Sequence, residues 1–241
     1  MTLGDEFNQT LDLLALPEDL QSLTFGREFN QSVENVQWPK KLRALTFGQK
    51  FDQRLDQITF PDLESLTLGD RFNQKMDQTI LPRGLKTLKF GLWFNQNVDQ
   101  MTLPSGLESL TFGQNFNQCV DHLSLPSQLH TLIFGFRFNQ SLDKVNMPSG
   151  LRRLALGYWF KESAACADFW MNLQEFSCGC LSVSCVQDEK NLSKRKLRGA
   201  KRFVLHDMFK GLSGECFAKF GLDTVKFQFV CVWNMLQTWC A

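Results

Sequence analysis

Acidic side chains recur along this chain at an almost even spacing, and a row of carboxylates could bind cations or transfer protons. The row consists of Asp12, Glu34, Asp56, Asp77, Asp99, Asp121 and Asp143. Carboxylates stacked about 4.8 Å apart would repel by roughly 0.9 kcal/mol per pair in bulk water, so they must point into solvent, accept backbone N–H groups or hold a cation. Similar acids at even spacing give no distinct acid and base environments, and the Gly-Gly-x-Gly-x-Asp pattern of calcium-binding repeats is absent. We therefore favour turn capping over a calcium ladder.

Histidine and cysteine do not supply a catalytic or metal-binding site either. His122 and His130 occupy positions that equivalent stretches fill with Asn, Gln, Lys, Arg or Glu, which is typical of interchangeable surface residues. Seven of the eight cysteines follow residue 162, but Cys178, Cys180 and Cys185 match no common zinc spacing. We predict that the chain is not an enzyme, that it binds no cofactor or metal, and that these thiols are unpaired.

The spacing of the prolines shows that these residues belong to a sequence repeat. All seven keep a spacing of 22 residues, shortened once to 21, at Pro17, Pro39, Pro61, Pro82, Pro104, Pro126 and Pro148. A fixed period in this range is typical of a solenoid, in which each short unit buries its apolar face only by stacking on its neighbours. The array predicts a repeat domain over residues 1–162.

Each unit follows one consensus, Leu-Pro-x-x-Leu-x-x-Leu-Thr-Phe-Gly-x-x-Phe-Asn-Gln. Apolar residues two apart between Ser and Thr, as in Ser22-Leu23-Thr24-Phe25, indicate one short strand per turn of a parallel sheet. The glycine after the strand indicates either positive φ or close approach of neighbouring turns. Equivalent positions of successive units form what we call a column. The column of the second Phe in the consensus, from Phe7 to Phe160, is predicted to form the core. The residue missing between Pro61 and Leu63 marks a turn, where deletions are tolerated.

Paired amides end the consensus. The pairs include Asn30, Gln31, Asn73, Gln74, Asn95, Gln96, Asn117, Gln118, Asn139 and Gln140, and Asp52 replaces the Asn once. We interpret them as a structural ladder that satisfies backbone groups of the turns. Asn and Gln also contact bases, but the chain lacks the basic stripe that binds phosphates, so we expect no nucleic-acid partner.

The unit resembles the FNIP repeat, a relative of the leucine-rich repeats. The resemblance lies in Leu-Pro-x-x-Leu, Leu-Thr-Phe-Gly and Phe-Asn-Gln, as in residues 103–118 (LPSGLESLTFGQNFNQ) and 125–140 (LPSQLHTLIFGFRFNQ). It implies a β-rich, leucine-rich-repeat-like solenoid of about seven 22-residue turns, each with one short parallel strand. It also implies a non-catalytic module for protein interaction or scaffolding.

The two residues between the glycine and Phe columns are polar in most units but bulky in three. The candidate partner-binding residues at these positions are Leu92, Trp93, Phe136, Arg137, Tyr158 and Trp159. Aromatic residues and Arg are favoured interface anchors, which predicts an aromatic patch for a protein partner along one edge of the solenoid. The alternatives are that these side chains pack beneath the C-terminal segment or are solitary exposed apolar residues.

The outward positions of the strands offer a second surface, rich in Ser and Thr. Its two rows are Ser22, Ala44, Ser65, Thr87, Ser109, Thr131 and Arg153, and Thr24, Thr46, Thr67, Lys89, Thr111, Ile133 and Ala155. A flat hydroxyl array could bind an extended ligand, either a glycan or ice, although threonine is also simply a good strand residue. The breaks in the rows favour the structural role.

Residues 163–241 form a Cys-rich, partly basic segment of different composition. It could cap the solenoid, be helical or be poorly ordered, and its abrupt change of composition also permits a gene-model artefact. The basic run from Lys190 to Arg202 could be a nuclear localisation signal or could bind an acidic partner, although a solvated helix face or loop is favoured.

The chain shows no signal for membrane insertion or export. No run approaches the roughly 18 apolar residues of a membrane helix, and Met1-Thr2-Leu3-Gly4 lacks the regions of a signal peptide. We therefore expect a cytoplasmic protein. Because this start enters the repeat in mid-strand, we also consider that Met1 is not the natural start. The sequence sets neither the partner's identity nor the oligomeric state.

Overall fold

The computed structural model describes residues 1–11, 14–160, 174–178 and 202–205, where all the strands are short and parallel. In chain order the strands are β1 (Ser22–Thr24), β2 (Ala44–Thr46), β3 (Ser65–Thr67), β4 (Thr87–Lys89), β5 (Ser109–Thr111), β6 (Thr131–Ile133), β7 (Arg153–Leu156), β8 (Glu175–Cys178) and β9 (Arg202–Leu205). Each strand pairs with the next, so the sheet has the order β1 to β9. Parallel neighbours require the chain to make a full circuit between them. The predicted leucine-rich-repeat-like solenoid is confirmed.

We call one circuit, from the start of a strand to the start of the next, a coil. Three turns close each coil. In the first coil they are marked by the hydrogen bonds Phe29 N–H to Gly26 C=O, Val36 N–H to Val33 C=O and Leu42 N–H to Pro39 C=O. These bonds satisfy backbone groups that leave the sheet. Pro39 is the first residue of its turn, where its carbonyl oxygen accepts and no N–H is required of it, so proline is tolerated there.

The core includes the strand leucines, the leucines that follow the prolines, and two columns that are mostly phenylalanine rings. The centroids of Phe29 and Phe51, from adjacent coils, lie 6.1 Å apart, and those of Phe25 and Phe47 lie 5.4 Å apart. Within a coil, Phe25 and Phe29 stack at 4.0 Å. All four rings are buried. At about 1.5–3 kcal/mol per buried ring, these columns are the main source of stability between coils.

Neighbouring coils also meet through their backbones at the glycine after each strand. A Cβ atom built on Gly113 would lie 1.6 Å from the carbonyl oxygen of Gly91, and one built on Gly48 would lie 1.7 Å from that of Gly26. No glycine in this column has φ in the left-handed region. Close approach of neighbouring coils, not positive φ, therefore accounts for the column.

Strands β8 and β9 extend the sheet past the last proline. In the backbone register of the parallel sheet, Glu175 of β8 lies opposite Arg153 of β7, and Arg202 of β9 lies opposite Glu175. The sequence held a signal for β8, since Phe176 and Cys178 stand 22 residues after Leu154 and Leu156. The rest of residues 163–241, with most of their cysteines and basic residues, lies outside the described residues. The domain boundary at 162 stays a prediction.

Within the part of the chain that the structure describes, no helix has the length and apolar character needed to cross a membrane.

Gly113→Ala should destabilise the protein by about 3 kcal/mol or more, because the new methyl group meets backbone atoms that cannot move aside. The matched control is Gly106→Ala, where the nearest atom, the Arg83 carbonyl oxygen, is 3.9 Å away. That variant should be neutral or more stable by about 0.4–1 kcal/mol. Urea unfolding followed by circular dichroism measures both. Similar losses in the two variants would contradict the role given to the glycine column.

Candidate functional site

The predicted partner-binding residues lie at the tips of the turns that follow the glycine column, which we call the turn-tip edge. Each tip consists of the two residues between Gly and Phe and is closed by a hydrogen bond such as Phe138 N–H to the Gly135 carbonyl, 3.2 Å. Adjacent tips are also bonded, since the N–H of Trp159 donates to the Phe136 carbonyl at 3.1 Å. The backbone therefore holds side chains of successive coils side by side at this edge.

Four of the predicted residues, Phe136, Arg137, Tyr158 and Trp159, contact one another and form what we call the aromatic cluster. The rings of Phe136 and Tyr158 stack with centroids 5.2 Å apart and an interplanar angle of 7°. Trp159 is tilted by 51° against Phe136, with centroids 6.2 Å apart. The guanidinium carbon of Arg137 lies 5.6 Å from the centroid of Trp159, a cation–π distance. The three rings remain 40 to 50% exposed.

Leu92 and Trp93 lie on the same edge but do not join the cluster. Gln114 and Asn115 occupy the turn tip of the intervening coil, whose Asn115 N–H bonds to the Leu92 carbonyl at 2.9 Å. Trp93 is 59% exposed and, within the described residues, makes no ring contact. The sequence placed all six residues on one edge, and the polar pair Gln114 and Asn115 already stood between the two groups in the repeat.

The first coils carry charges at the same edge. The Glu28 carboxylate pairs with the Arg27 guanidinium at 3.3 Å and with the Lys50 ammonium of the next coil. The hydrogen bond from Lys50 is the main cause of a Glu28 pKa below the ordinary value, with a smaller part from Arg27. The turn-tip edge thus changes from paired charges in the early coils to aromatic side chains in the late ones.

The amide pairs lie directly after the Phe column and link each coil to the next. The Asn30 Oδ1 accepts from the Asp52 N–H at 2.9 Å and from the Gln53 Nε2 at 3.0 Å. The Asp52 Oδ1 does the same for the Asn73 N–H at 2.8 Å and the Gln74 Nε2 at 2.9 Å. Aspartate can replace asparagine here because the position only needs an acceptor oxygen.

The other amides of the sequence follow the same geometry. The backbone links continue as Asn95 N–H to Asn73, Asn117 N–H to Asn95 and Asn139 N–H to Asn117, at 2.8 to 2.9 Å. Gln31, Gln118 and Gln140 also donate to the Asn of the preceding coil. Gln96 occupies the same column, although among the described residues it makes no such bond.

The acidic row pairs with basic side chains at two of its positions. Asp56 accepts two hydrogen bonds from Arg54, at 3.2 and 2.5 Å, and these are the main cause of its lowered pKa. Asp121 lies 3.7 Å from the Lys144 ammonium. Asp12 falls outside the described residues. In the described ranges, no group of three or more His, Cys, Asp or Glu is arranged to hold a metal ion.

The Ser and Thr rows lie in register on the outward face of the sheet. Thr2 is the register partner of Thr24, Thr24 of Thr46, and Thr46 of Thr67, so four threonines are consecutive. Lys89 follows Thr67 in the next strand and ends the run. The other row carries hydroxyl groups in four consecutive strands, at Ser65, Thr87, Ser109 and Thr131.

Two comparisons place the chain among known proteins. The sequence profile described as FNIP Repeat matches residues 7–50, 51–92 and 94–137. A crystal structure described as a novel circular LRR protein is similar, with a TM-score of 0.68 and 36% sequence identity. The match covers 74% of this chain but only 26% of that protein, so this chain spans about a quarter of its length. No curated protein matched the sequence.

Asp52→Asn should leave stability within about 0.5 kcal/mol of the wild type, because the asparagine Oδ1 can accept the same two bonds. Asp52→Ala removes the acceptor for the Asn73 N–H and should cost about 1–2 kcal/mol. Thermal unfolding of the two variants measures the difference. If the alanine variant were as stable as the asparagine variant, the ladder would not contribute to stability.

The Glu28 carboxyl should titrate below its ordinary pKa of 4.5, and Lys50→Met should move that pKa upward. Because the pKa is lower in the folded state, the ion pair stabilises the protein above the ordinary pKa, and this stabilisation is lost as pH falls through the folded value. Carboxyl carbon shifts in an NMR pH titration report the change, and added salt should weaken it. Asp56, paired with Arg54, is the internal control and should not respond. An unchanged Glu28 pKa in the variant would refute the pairing.

Proposed function

Because this chain belongs to the FNIP repeat family, we propose that it is a non-catalytic protein-interaction or scaffold module whose partner binds at the aromatic cluster. A repeat solenoid of this type is typical of protein-interaction modules and is generally not an enzyme. The family does not specify the contact surface, so the choice of surface depends on the side chains.

The aromatic cluster is the observation that carries the proposal. Phe136, Tyr158 and Trp159 are large apolar side chains that lie together and remain 48, 40 and 50% exposed. Covering water-exposed rings with a partner removes apolar surface from water, which lowers the free energy of the complex. Trp, Tyr and Arg are also the residue types that dominate binding energy at protein interfaces, where one anchor contributes about 2 kcal/mol or more.

The cluster is also held in place before any partner arrives. Phe136 stacks on Tyr158, and Arg137 lies over Trp159, so each side chain restricts its neighbour. The Trp159 N–H to Phe136 carbonyl bond fixes the two turn tips relative to each other. Binding then costs less conformational entropy than ordering free side chains, which costs about 0.5–1.5 kcal/mol each.

The chemistry of the chain supports a protein as the partner, and we propose that the two meet in the cytoplasm. The formal net charge is +1, which gives no broad field to attract a polyanion. The cluster itself combines apolar rings with one guanidinium, a combination that suits an apolar segment carrying a carboxylate.

The second candidate is an extended ligand, a glycan or ice, on the Ser and Thr face. The in-register run of Thr24, Thr46 and Thr67 favours it. Lys89 and Ile133 interrupt the same row in β4 and β6, so over β3 to β6 only the neighbouring row carries a hydroxyl group in every strand.

Affinity capture from a cytosolic extract tests the proposal, using the full chain as bait. Trp159→Ala should reduce recovery of the specific partner at least tenfold, since a 2 kcal/mol anchor corresponds to about thirtyfold in affinity. Thr111→Lys, on the strand face, is the control and should not affect recovery. Trp93→Ala should have a smaller effect than Trp159→Ala because Trp93 lies outside the cluster.

Equal recovery with wild type and Trp159→Ala would exclude the aromatic cluster as the contact. Loss of binding in Thr111→Lys alone would indicate that the partner contacts the strand face. Binding to immobilised glycans would then favour the second candidate.

A further inference from the structure

The junctions between coils are not equivalent, and the one between the third coil (65–86) and the fourth coil (87–108) lacks interactions that hold its neighbours together. A repeat array is stabilised mainly by interactions between adjacent units, so each junction contributes separately to the stability of the array. A junction that lacks stabilising interactions opens more readily than the rest of the structure. The deficit at this junction appears in the core, in the amide ladder and in a turn.

In the core, the first column of rings is interrupted inside the array at the third coil. Phe25 and Phe47 stack at 5.4 Å before the interruption, and Phe90 and Phe112 stack at 5.5 Å after it. Leu68 occupies the position between them. Stacked rings attract each other beyond the apolar area that they bury, and a leucine gives up that attraction on both of its sides. The third coil therefore joins its neighbours through a single column of rings.

The amide ladder also lacks a bond at this junction. The Asn73 Oδ1 accepts from the Asn95 N–H at 2.9 Å, but within the described residues Gln96 does not donate to it. The equivalent glutamines of the coils on either side, Gln74 and Gln118, do donate to the preceding coil, at 2.9 and 3.1 Å. The ladder therefore holds the third and fourth coils through the backbone bond alone.

Leu68 also faces the second coil, but that junction keeps other links. Gln74 donates to the Asp52 Oδ1 there, and the Lys86 ammonium pairs with the Glu64 carboxylate at 2.9 Å. Among the residues that the structure describes, no salt bridge joins the third coil to the fourth. The deficit is therefore greater at the junction of the third and fourth coils.

One turn of these two coils buries polar atoms that have no partner. Thr79 is 5% exposed and replaces the apolar residue that other coils bury here, such as Ile58 and Met101. In the described part of the chain, its Oγ1 makes no hydrogen bond, and neither does the buried Oδ1 of Asp99 in the same turn of the fourth coil. A buried polar atom without a partner has lost its bonds to water, which destabilises the closed arrangement.

We propose that the junction of the third and fourth coils is a hinge, at which the two coils part on the side of the turns while β3 and β4 stay paired. The missing ladder bond and the unsatisfied atoms lie away from the sheet, whereas the strands are fully paired, with the Leu68 N–H bonded to the Lys89 carbonyl at 2.8 Å. Parting of the turns lets water reach the Thr79 Oγ1 and the Asp99 Oδ1, which lowers the cost of opening. The sheet then serves as the hinge axis.

The hinge separates two parts of the turn-tip edge that differ in chemistry. The tip of the third coil carries Asp70 and Arg71, and the tip of the fourth carries Leu92 and Trp93. Opening therefore changes the angle between the charged early coils and the aromatic late coils, and it leaves the contacts within the aromatic cluster unchanged. A partner that touches both parts is then accommodated by a change in curvature, without rearrangement of either part.

Amide hydrogen exchange, measured by NMR on the full chain labelled with ¹⁵N, tests the hinge because exchange reports local opening residue by residue. Asn95, Asn117 and Asn139 are equivalent reporters, since each N–H donates to an Oδ1 of the preceding coil at 2.8 to 2.9 Å. Of these three bonds, only that of Asn95 crosses the hinge. The Leu68 and Phe90 N–H groups, each bonded to the strand of the next coil, report on the sheet at the hinge and beside it.

After correction for intrinsic rates, Asn95 should exchange about tenfold faster or more than Asn117 and Asn139. Leu68 should stay as protected as Phe90, because the strands remain paired.

Thr79→Val keeps the shape of the side chain and removes the unsatisfied hydroxyl, so it should slow the exchange of Asn95 by about fivefold or more. Thr102→Val is the matched control, because it makes the same change at an exposed position of the next coil. It should not alter the exchange of Asn95.

Equal protection of the three ladder amides would overturn the proposal, as would unchanged exchange of Asn95 in Thr79→Val. Equal slowing of all three amides in that variant would indicate a change in global stability and would also overturn it. Exchange of Leu68 as fast as that of Asn95 would mean that the strands separate too, which contradicts a hinge. Because none of these variants touches the aromatic cluster, the result does not depend on the function proposed above.

Discussion

The structure depends on one close contact, the approach of each coil's glycine to the carbonyl oxygen of the glycine one coil before. A methyl group at Gly26, Gly91 or Gly135 would lie within about 2 Å of that oxygen. The contact sets how near two coils can come at the end of their strands. Strand pairing, the stacking of the Phe rings and the bonds of the amide ladder all require this spacing, so a larger residue at the glycine would disturb all three.

Stacking in register brings each residue beside its equivalents in the coils above and below. A residue type can therefore recur at one position of the repeat only if identical side chains from adjacent coils can lie side by side. Phe rings stack, and an Asn accepts from the backbone of the next coil, so these columns can repeat. Acids repel, and Asp56 and Asp121 are paired with bases from other columns. A uniform column offers no distinctive site, which is why the proposed aromatic cluster lies where a column changes residue type.

The period of the prolines and the alternation around Leu23 were enough to predict the strands, their parallel order and the Phe core. The meaning of the glycines was not decidable from sequence, because positive φ and close approach select the same residue. β8 was missed because Phe176 and Cys178 keep the spacing without the proline that framed the other units. The contacts of the aromatic cluster depend on how side chains of separate coils lie in space, which the period does not encode.

The central claim is that partners bind at the turn tips where aromatic residues replace the polar residues of the other repeats. The most direct measurement places the photo-reactive residue p-benzoylphenylalanine at Phe136 in the aromatic cluster or at Thr111 on the strand face, irradiates the full chain in cytosolic extract and identifies cross-linked proteins by mass spectrometry. The account predicts a specific cross-linked protein from position 136 and none from position 111. A specific product from position 111 alone would contradict it.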